Sequence, residues 1–513
     1  MPTFARKLTS LFSTRLRAQR TYRLQVERLA IGPNAVLLEQ QNGLSLDGNI
    51  YCILRELLSD RRYDEYTVHF VASATMAEAF RKELASRGLD VHLLIRDTHE
   101  YVRALATCSI LITDNTLPGY YVKRPGQKLV NTWHGIPLKT LGRSEAIDAI
   151  ETGNVQRSQA LADYLLMPNP LMEQRFIRDY MLQGLSSGTV IPLGYPRNEA
   201  FLHRQRRHDG HRRYAWLPTF RGVGSQRGHG TSDMPGFLDQ LDALLDDEET
   251  LYLKLHLVEQ EQLDLSRYKH IEPVPTYCEL YEFLATCDAL ATDYSSVMFD
   301  VTLGGIKVVL FPYDKETYLA ERGLYDSLDT LPFPQVQSTE ELVRELRSPL
   351  AYDNDAFVKQ SWPYPTDGAT AALCERLFLD SGPLPGEHPT PQAEKPTCLI
   401  YSEMGCDLDK LRDELLKYSR EFEVRLAFPS EKGRGRQEFL ASLPDDVRYT
   451  PLSGGLLATL PEKPLVKAGK ADAVYALDRQ RTFGSATFDK VHIHDGSDPR
   501  WTGVMRHLQR ETA

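Results

Sequence analysis

The chain has 513 residues, 42% of them hydrophobic and 25% charged, which predicts a globular protein of roughly three domains. Its formal net charge of −10 argues against broad nucleic-acid binding. Seven scattered cysteines form no C-x-x-C pair, so neither a zinc site nor a disulfide framework is indicated, and a reducing, cytoplasmic compartment is favoured. No apolar run reaches the roughly 18 residues of a transmembrane helix, and we recognise no signal peptide.

Residues 1–28 reverse the overall charge, because they hold seven basic residues against a single acidic one. Four apolar residues recur at helical spacing on one face, namely Phe4, Leu8, Leu11 and Phe12. This pattern predicts a basic amphipathic helix that lies on an anionic membrane surface. A solvated leader, or a helix docked on another part of the protein, is the alternative.

Residues 29–185 are predicted to form one α/β unit. Short β-rich runs alternate with helical patterns, and this alternation is typical of parallel βαβ units. No G-x-G-x-x-G fingerprint follows the first strand, which disfavours a dinucleotide-dependent dehydrogenase, and we expect no cofactor. The strand candidates are residues 36–38, 67–71, 91–95, 109–112 and 129–130.

Residues 186–381 are predicted to form a second α/β unit, with strand candidates at 189–191, 214–217, 251–255, 289–291 and 307–311. Five prolines and two glycines in the stretch that follows predict a linker over residues 382–396. A third, smaller α/β unit of unknown role is expected over 397–513. Its strand candidates are residues 397–401, 423–428 and 473–477.

The first motif that contains a candidate catalytic residue surrounds His134, directly after a predicted strand. Ligands of open α/β sheets bind where strands give way to loops at their carboxyl ends. Gly135 permits close approach of the backbone to a ligand, and Trp133 supplies a rigid apolar wall. An imidazole titrates near neutrality, so His134 is a candidate base for an attacking hydroxyl. A purely structural histidine is the alternative.

Two arginines follow predicted strands of the second unit. Arg197 stands in Gly-Tyr-Pro-Arg, and Arg221 ends Pro-Thr-Phe-Arg, which also contains Thr219. A guanidinium at a strand end can form a bidentate hydrogen bond with phosphate oxygens, and the Thr219 hydroxyl can donate to the same phosphate. Solvated arginines in tight turns are the alternative.

Further polar groups end two other strands of this unit. Lys254 and His256 alternate and therefore share one face, which suggests a strand end beside an anion rather than an exposed sheet edge. Ser295 and Ser296 follow Asp293 at the start of a predicted helix, where free N–H groups and the helix dipole favour phosphate. An ordinary N-cap serine accounts for one of these residues only.

Together these segments resemble the CDP-glycerol glycerophosphotransferase family of teichoic acid synthesis, over roughly residues 40–380. Two positions depart from the family's usual pattern, Ile136 and Leu257, and neither removes a reactive group. The resemblance implies a GT-B-like α/β fold, with two Rossmann-like halves facing a central cleft, and a peripheral enzyme at the cytoplasmic face of the membrane. The matching segments, in the family's order, are Thr-Trp-His-Gly-x-Pro-Leu-Lys (132–139), Gly-Tyr-Pro-Arg (194–197), Pro-Thr-Phe-Arg (218–221), Lys-x-His (254–256) and Asp-Tyr-Ser-Ser-x-x-Phe-Asp (293–300).

The resemblance also implies roles for the motif residues. The first half would bind the acceptor and the second half CDP-glycerol. His134 and His256 are the predicted catalytic residues, with His134 as the base. Asp293 and Asp300 would orient the donor loop or the donor's glycerol. The donor pyrophosphate would be held by His256, Arg197, Arg221, Ser295 and Ser296. The full set of predicted substrate-binding residues is Trp133, Gly135, Lys139, Arg197, Thr219, Arg221, Lys254, Asp293, Ser295, Ser296 and Asp300.

The predicted reaction transfers glycerol phosphate, or a related polyol phosphate, from CDP-glycerol to a lipid-linked or polymeric cell-wall acceptor and releases CMP. Both partners are anionic, so cationic side chains are needed to stabilise the transition state. No carboxylate cluster with metal-ligand spacing is recognised, and we predict no metal in the site. The alternatives are a nucleotide-sugar glycosyltransferase of the same fold and a non-catalytic membrane scaffold.

Overall fold

The structure, a computed structural model, describes residues 14–145, 148–205, 209–219, 234–255, 263–275, 279–405, 407–429 and 435–510. Three sheets organise this part of the chain. Their strands are β1 (Gly32–Glu39), β2 (Thr67–Ala72), β3 (His92–Ile95), β4 (Cys108–Thr113), β5 (Lys128–Asn131), β6 (Tyr164–Met167), β7 (Thr189–Pro192), β8 (Arg212–Leu217), β9 (Glu249–Leu253), β10 (Ile271–Pro273), β11 (Ala289–Thr292), β12 (Lys307–Leu310), β13 (His388–Pro389), β14 (Thr397–Ser402), β15 (Glu423–Pro429), β16 (Arg448–Leu452) and β17 (Lys490–Asp495).

Helices connect these strands and cover the sheets. They are α1 (Thr14–Arg28), α2 (Gly48–Ser59), α3 (Ala77–Ser86), α4 (His99–Thr107), α5 (Ala149–Leu161), α6 (Pro170–Asp179), α7 (Glu199–Leu202), α8 (Met234–Leu244), α9 (Leu280–Leu284), α10 (Val297–Thr302), α11 (Lys315–Glu321), α12 (Thr339–Arg347), α13 (Asn354–Ser361), α14 (Ala369–Phe378), α15 (Leu408–Ser419), α16 (Arg436–Ala441), α17 (Glu462–Lys467), α18 (Asp472–Phe483) and α19 (Pro499–Arg506). No helix in the described ranges combines the length and apolarity that crossing a membrane requires.

The first sheet has eight strands in the order β13-β7-β6-β5-β4-β1-β2-β3, and all except β13 run parallel. The order β3-β2-β1-β4-β5-β6 is that of a Rossmann fold, in which ligands bind where the strand order reverses. That point lies between the carboxyl ends of β1 and β4. Every residue of β4 is buried, as expected for a central strand with helices on both faces.

Two strands of the first sheet correct the expected division of the chain. The run at 189–191, which we expected in the second unit, forms β7 and hydrogen-bonds with β6 in the first sheet. Strand β6 was not predicted, and without it nothing in the sequence linked residues 189–191 to the first sheet. The predicted linker is also partly structured, because β13 pairs antiparallel with β7.

The second sheet has the order β10-β9-β8-β11-β12, and all five strands are parallel. Its strand order reverses between β8 and β11, so this half also has a ligand-binding position at strand ends. The chain then returns to the first half through α14. The Phe378 ring lies 5.9 Å from that of Tyr63 and 5.1 Å from that of Tyr66, and the Tyr66 hydroxyl donates to the Phe378 carbonyl at 2.6 Å.

The third unit contains a four-stranded parallel sheet in the order β16-β15-β14-β17. Residues 473–477, which we predicted to be a strand, belong to helix α18. A short apolar run does not distinguish a buried helix from a strand. The buried residues Val474, Tyr475, Asp478 and Thr482 recur at helical spacing, and they include polar side chains outside the apolar run.

The third unit is hydrogen-bonded to the first half through arginine side chains that donate to backbone carbonyls across the contact. Arg143 donates to the carbonyl of Leu443 at 2.8 Å, and Arg425 donates to that of Met181 at 2.7 Å. Arg481, which is fully buried, donates to the carbonyl of Gly119 at 2.8 Å. Because buried carbonyls need donors, these contacts give the third unit a defined position on the first half.

Helix α1 docks one face on the protein. Tyr22 is fully buried, and its hydroxyl donates to the Val122 carbonyl at 3.0 Å. Arg23 donates to the Leu457 carbonyl at 3.0 Å and pairs with Glu462. The docked-helix alternative therefore describes residues 14–28. The apolar residues Phe4, Leu8, Leu11 and Phe12 lie outside the described residues, so the membrane-surface helix stays a prediction.

Candidate functional site

The loop after β5 presents His134 at the carboxyl end of the first sheet. The Trp133 amide donates to Asn131 Oδ1 at 2.8 Å, and Trp133 adopts a left-handed backbone conformation with a φ of 52°. Non-glycine residues with positive φ are rare in proteins as a whole. Those that occur are concentrated at functional sites. This conformation stacks the Trp133 ring on the His134 ring, with centroids 4.4 Å apart. The loop is therefore shaped to fix the direction of one imidazole.

His134 holds a defined tautomer. Its Nδ1 lies 2.8 Å from the Asp114 carbonyl, which follows β4. A carbonyl can only accept, so Nδ1 carries the proton and Nε2 keeps a free lone pair. Burial lowers the pKa of His134, and Arg197 and Lys139 lower it further, although the Asp114 carbonyl acts in the opposite direction. The imidazole is thus neutral near pH 7, which a general base requires.

Arg197 joins this loop to the second half of the protein. Its Nη2 lies 3.0 Å from both carboxylate oxygens of Asp300 in α10, and its Nη1 donates to the His134 carbonyl at 2.9 Å. The side chains of Arg197 and Asp300 are only 3% and 1% exposed. The pair is bidentate and buried, so most of the Arg197 donors are engaged within the protein.

The loops at the strand-order reversal of the second sheet are held by Asp293. Its carboxylate accepts from the Thr219 amide at 2.8 and 3.0 Å, which links the ends of β8 and β11. Ser295 and Ser296 follow it, half-buried, immediately before α10. A Cβ added to Gly135 would collide with the Ser296 hydroxyl, so the two halves meet closely here. Within the described ranges, no hydrogen bond of either serine hydroxyl is found.

Two lysines flank this meeting point. Lys254 directly follows β9, and its Nζ lies 3.5 Å from Asp47 Oδ2, across the cleft in the first half. Lys139 Nζ lies 5.8 Å from the centre of the Tyr318 ring, which stacks on the Tyr294 ring at 3.7 Å. Both side chains are half-buried. Positive charge is therefore present on both sides of the cleft between the halves.

The structure thus brings together most of the residues predicted from the five motifs. These are Trp133, His134, Gly135, Lys139, Arg197, Thr219, Lys254, Asp293, Ser295, Ser296 and Asp300. The predicted residues Arg221 and His256 lie outside the described residues, and their roles stay predictions.

The sequence analysis missed several buried groups next to the motifs. Asp114 supplies the carbonyl that orients His134, and burial raises the pKa of its own carboxyl to about 7. Burial likewise raises the pKa of Glu279 to about 7, and this carboxylate accepts from the Gly48 amide at 2.7 Å. Asp114 follows a predicted strand, so the strand-end argument that selected His134 could have found it. Glu279 belongs to no motif and carries no comparable signal.

Comparison with known proteins connects this geometry to a family. A family model described as CDP-glycerol:poly(glycerophosphate) glycerophosphotransferase matches residues 20–372. A teichoic acid poly(glycerol phosphate) polymerase of Staphylococcus epidermidis is 28% identical over 277 residues, which cover 49% of this chain and 38% of that protein. A teichoic acid glycerol-phosphate primase of Bacillus subtilis is 24% identical over 345 residues, which cover 63% of this chain and 87% of the primase.

Solved structures of the wall teichoic acid polymerase TagF share the fold. One of them, from a crystal soaked with CDPG, superposes with a TM-score of 0.59 at 22% sequence identity. The match covers 74% of this chain and 97% of that chain. Together with the two Rossmann-ordered sheets, this likeness confirms the prediction of a GT-B-like α/β fold.

Proposed function

Because the chain belongs to the CDP-glycerol:poly(glycerophosphate) glycerophosphotransferase family, we propose that it transfers glycerol phosphate, or a related polyol phosphate, from CDP-glycerol to a lipid-linked or polymeric wall acceptor. In this reaction an acceptor hydroxyl attacks the phosphorus that carries the glycerol. The bond between that phosphorus and the CMP oxygen breaks, and CMP leaves. Ribitol-phosphate polymerases among the relatives, one 27% identical over 363 residues, keep both polyols in the proposal.

The observation that carries this proposal is the contact of His134 Nδ1 with the Asp114 carbonyl at 2.8 Å. With Nδ1–H donating to the Asp114 carbonyl, Nε2 is the atom that takes the proton of the attacking hydroxyl. The lowered pKa keeps it unprotonated at neutral pH. The stacked Trp133 ring prevents the imidazole from turning, so the base is oriented before substrate arrives.

The second half is proposed to hold the donor. The Ser296 hydroxyl faces Gly135 in the loop of His134, and Ser295 precedes it. Lys139 and Lys254 supply positive charge toward a pyrophosphate. Arg197, engaged with Asp300, is proposed to position the His134 loop rather than to hold a phosphate as its main contact. His256 and Arg221 complete the donor site in this proposal on the strength of their motifs.

Radiolabelled glycerol phosphate transfer tests the assignment, with purified enzyme, CDP-glycerol and a lipid-linked acceptor. The variant His134→Ala is expected to lose about 100-fold or more in turnover, the range typical of general acid–base catalysis. CDP-glycerol should still bind, as measured by calorimetry. His203→Ala is the control, because His203 is exposed and pairs with Asp367, away from the His134 loop. Turnover of His134→Ala near that of the control would refute the role.

A donor panel separates this function from a nucleotide-sugar transferase of the same fold. CDP-glycerol, CDP-ribitol and UDP-sugars are offered to the same enzyme, and release of the nucleotide is measured. Turnover with a CDP-polyol alone supports the proposal. Turnover with a UDP-sugar alone would replace it, and turnover with none of them would favour the scaffold alternative.

We also propose peripheral attachment to the cytoplasmic face of the membrane. Arg17, Arg20 and Leu24 lie exposed on the face of α1 that points away from the protein. Basic residues near anionic lipid contribute about 1 kcal/mol each. The paired change Arg17→Glu with Arg20→Glu should weaken co-sedimentation with phosphatidylglycerol vesicles at low salt. The control, Arg81→Glu with Lys82→Glu on α3, alters net charge equally, and equal loss in both would exclude α1 as the anchor.

A further inference from the structure

The third unit contains a cluster of metal-binding side chains that the proposed transfer reaction does not use. His492 and His494 lie two residues apart on β17, and their side chains approach the same carboxylate. Glu414, in the middle of α15, reaches both of them. Its Oε1 lies 2.8 Å from His492 Nε2, and its Oε2 contacts His494 Nδ1.

The three donor atoms converge on one point. They all lie within 4.8 Å of one another, and the structure shows no other such group of three in its described ranges. The side chains of His492, His494 and Glu414 are 33%, 16% and 24% exposed. They are therefore partly shielded from water and partly accessible to it.

Two imidazoles and one carboxylate form a donor set that suits a divalent transition-metal ion. Imidazole nitrogen and carboxylate oxygen bind Zn²⁺ at about 2.0–2.2 Å, and catalytic zinc sites use three protein ligands with an open fourth position. The donors lie on a helix and on a strand whose pairing with β14 shifts register at His494, and these elements hold them in place.

We propose that Glu414, His492 and His494 bind one divalent transition-metal ion and thereby join β17 to α15. β17 is an outer strand of the third sheet and pairs only with β14 within the described residues. A metal at this position cross-links that strand to the helix covering the sheet. Sequence spacing did not reveal the site, because 80 residues separate Glu414 from His494.

Zn²⁺ binding to the full, tag-free chain tests the proposal. After removal of metal with a chelator, titration in competition with a chromophoric chelator should give one Zn²⁺ per chain. His494→Ala and Glu414→Gln should each weaken binding by about 100-fold or more, because even loss of a residue that only orients a ligand typically costs 10–100-fold. His203→Ala is the matched control, since His203 forms a histidine–carboxylate pair to which the described part of the chain adds no third donor.

A second measurement uses the unaltered chain and does not depend on the folding of a variant. Histidine modification by diethyl pyrocarbonate, read by mass spectrometry, should slow at least about tenfold at His492 and His494 when Zn²⁺ is added. Modification of His203 should not change. Stoichiometric binding with this protection supports the site. Absence of binding, or binding that the variants retain and that protects neither histidine, would overturn it.

Discussion

The buried ion pair of Arg197 with Asp300 permits a sharp test of how the two halves are held together. Asp300→Asn keeps the size and shape of the side chain but removes its charge. Arg197 would then remain as an uncompensated cation in a site where both side chains are at most 3% exposed. Breaking a buried pair by removing one partner costs about 3–5 kcal/mol, so we expect a loss of this size in the free energy of unfolding.

Two further variants identify the origin of that loss. Glu282→Gln breaks the pair with Arg55, whose side chains are 51% and 47% exposed, and should cost about 1 kcal/mol or less. The double variant Arg197→Met with Asp300→Leu removes both charges together. It should be more stable than Asp300→Asn, because replacement of a whole buried pair by apolar groups is often neutral.

Urea unfolding followed by circular dichroism measures all three variants, and turnover of the folded proteins completes the comparison. The double variant should still lose turnover, since the contact of Arg197 with the His134 carbonyl is gone. A cost of Asp300→Asn no greater than that of Glu282→Gln would refute the reasoning. A double variant no more stable than Asp300→Asn would also refute it.

Three further predictions follow from the site and the docking of the third unit. Burial raises the pKa of Asp114 to about 7, so the folded chain keeps a proton that the unfolded carboxyl loses near pH 4. The contribution of Asp114 to stability is complete below about pH 4 and is lost as the pH rises to about 7, by at most about 1.4 kcal/mol per pH unit. Asp114→Asn should therefore flatten this part of a plot of the free energy of unfolding, measured in urea, against pH. An unchanged slope would contradict the prediction. Gly135→Ala should lower turnover at least about tenfold, because the new Cβ pushes against the Ser296 hydroxyl, and wild-type turnover would show that the halves separate easily at this contact. A chain ending at residue 396 should unfold at lower urea concentration than the full chain, because Arg143 loses its carbonyl partners on the third unit; an equal midpoint would mean that the docking adds no stability.

Much of the fold could be predicted from the sequence where strands were long and apolar. The strands β1 and β4 follow this pattern, whereas the predicted motifs follow β5, β7, β8, β9 and β11. The strand β6 was missed because a short apolar run, here Tyr164–Met167, does not distinguish a strand from a buried helix. Residues 189–191 were identified as a strand but placed in the wrong sheet, because pairing depends on contacts between distant segments.

The sequence identified most residues of the site, but it did not reveal how these residues are oriented and paired. His134 was found from the strand end that precedes it, but the group that orients it is a backbone carbonyl, which no side-chain motif reveals. The motifs containing Arg197 and Asp300 were both recognised. Their mutual pairing was not, because it joins positions 103 residues apart and becomes visible only when the halves are in contact.

The two-residue strand β13 has a consequence for the behaviour of the chain in solution. It pairs with β7, the last parallel strand of the first sheet, and its Pro389 has no N–H group to offer to a further strand. An open row of backbone donors and acceptors along β7 would invite pairing with another copy of the chain. Three prolines lie within six residues of Pro389, at 383, 385 and 391, and make this stretch a poor partner for a new strand. The segment between the second and third units therefore covers the edge of the first sheet, in addition to carrying the chain from one unit to the other.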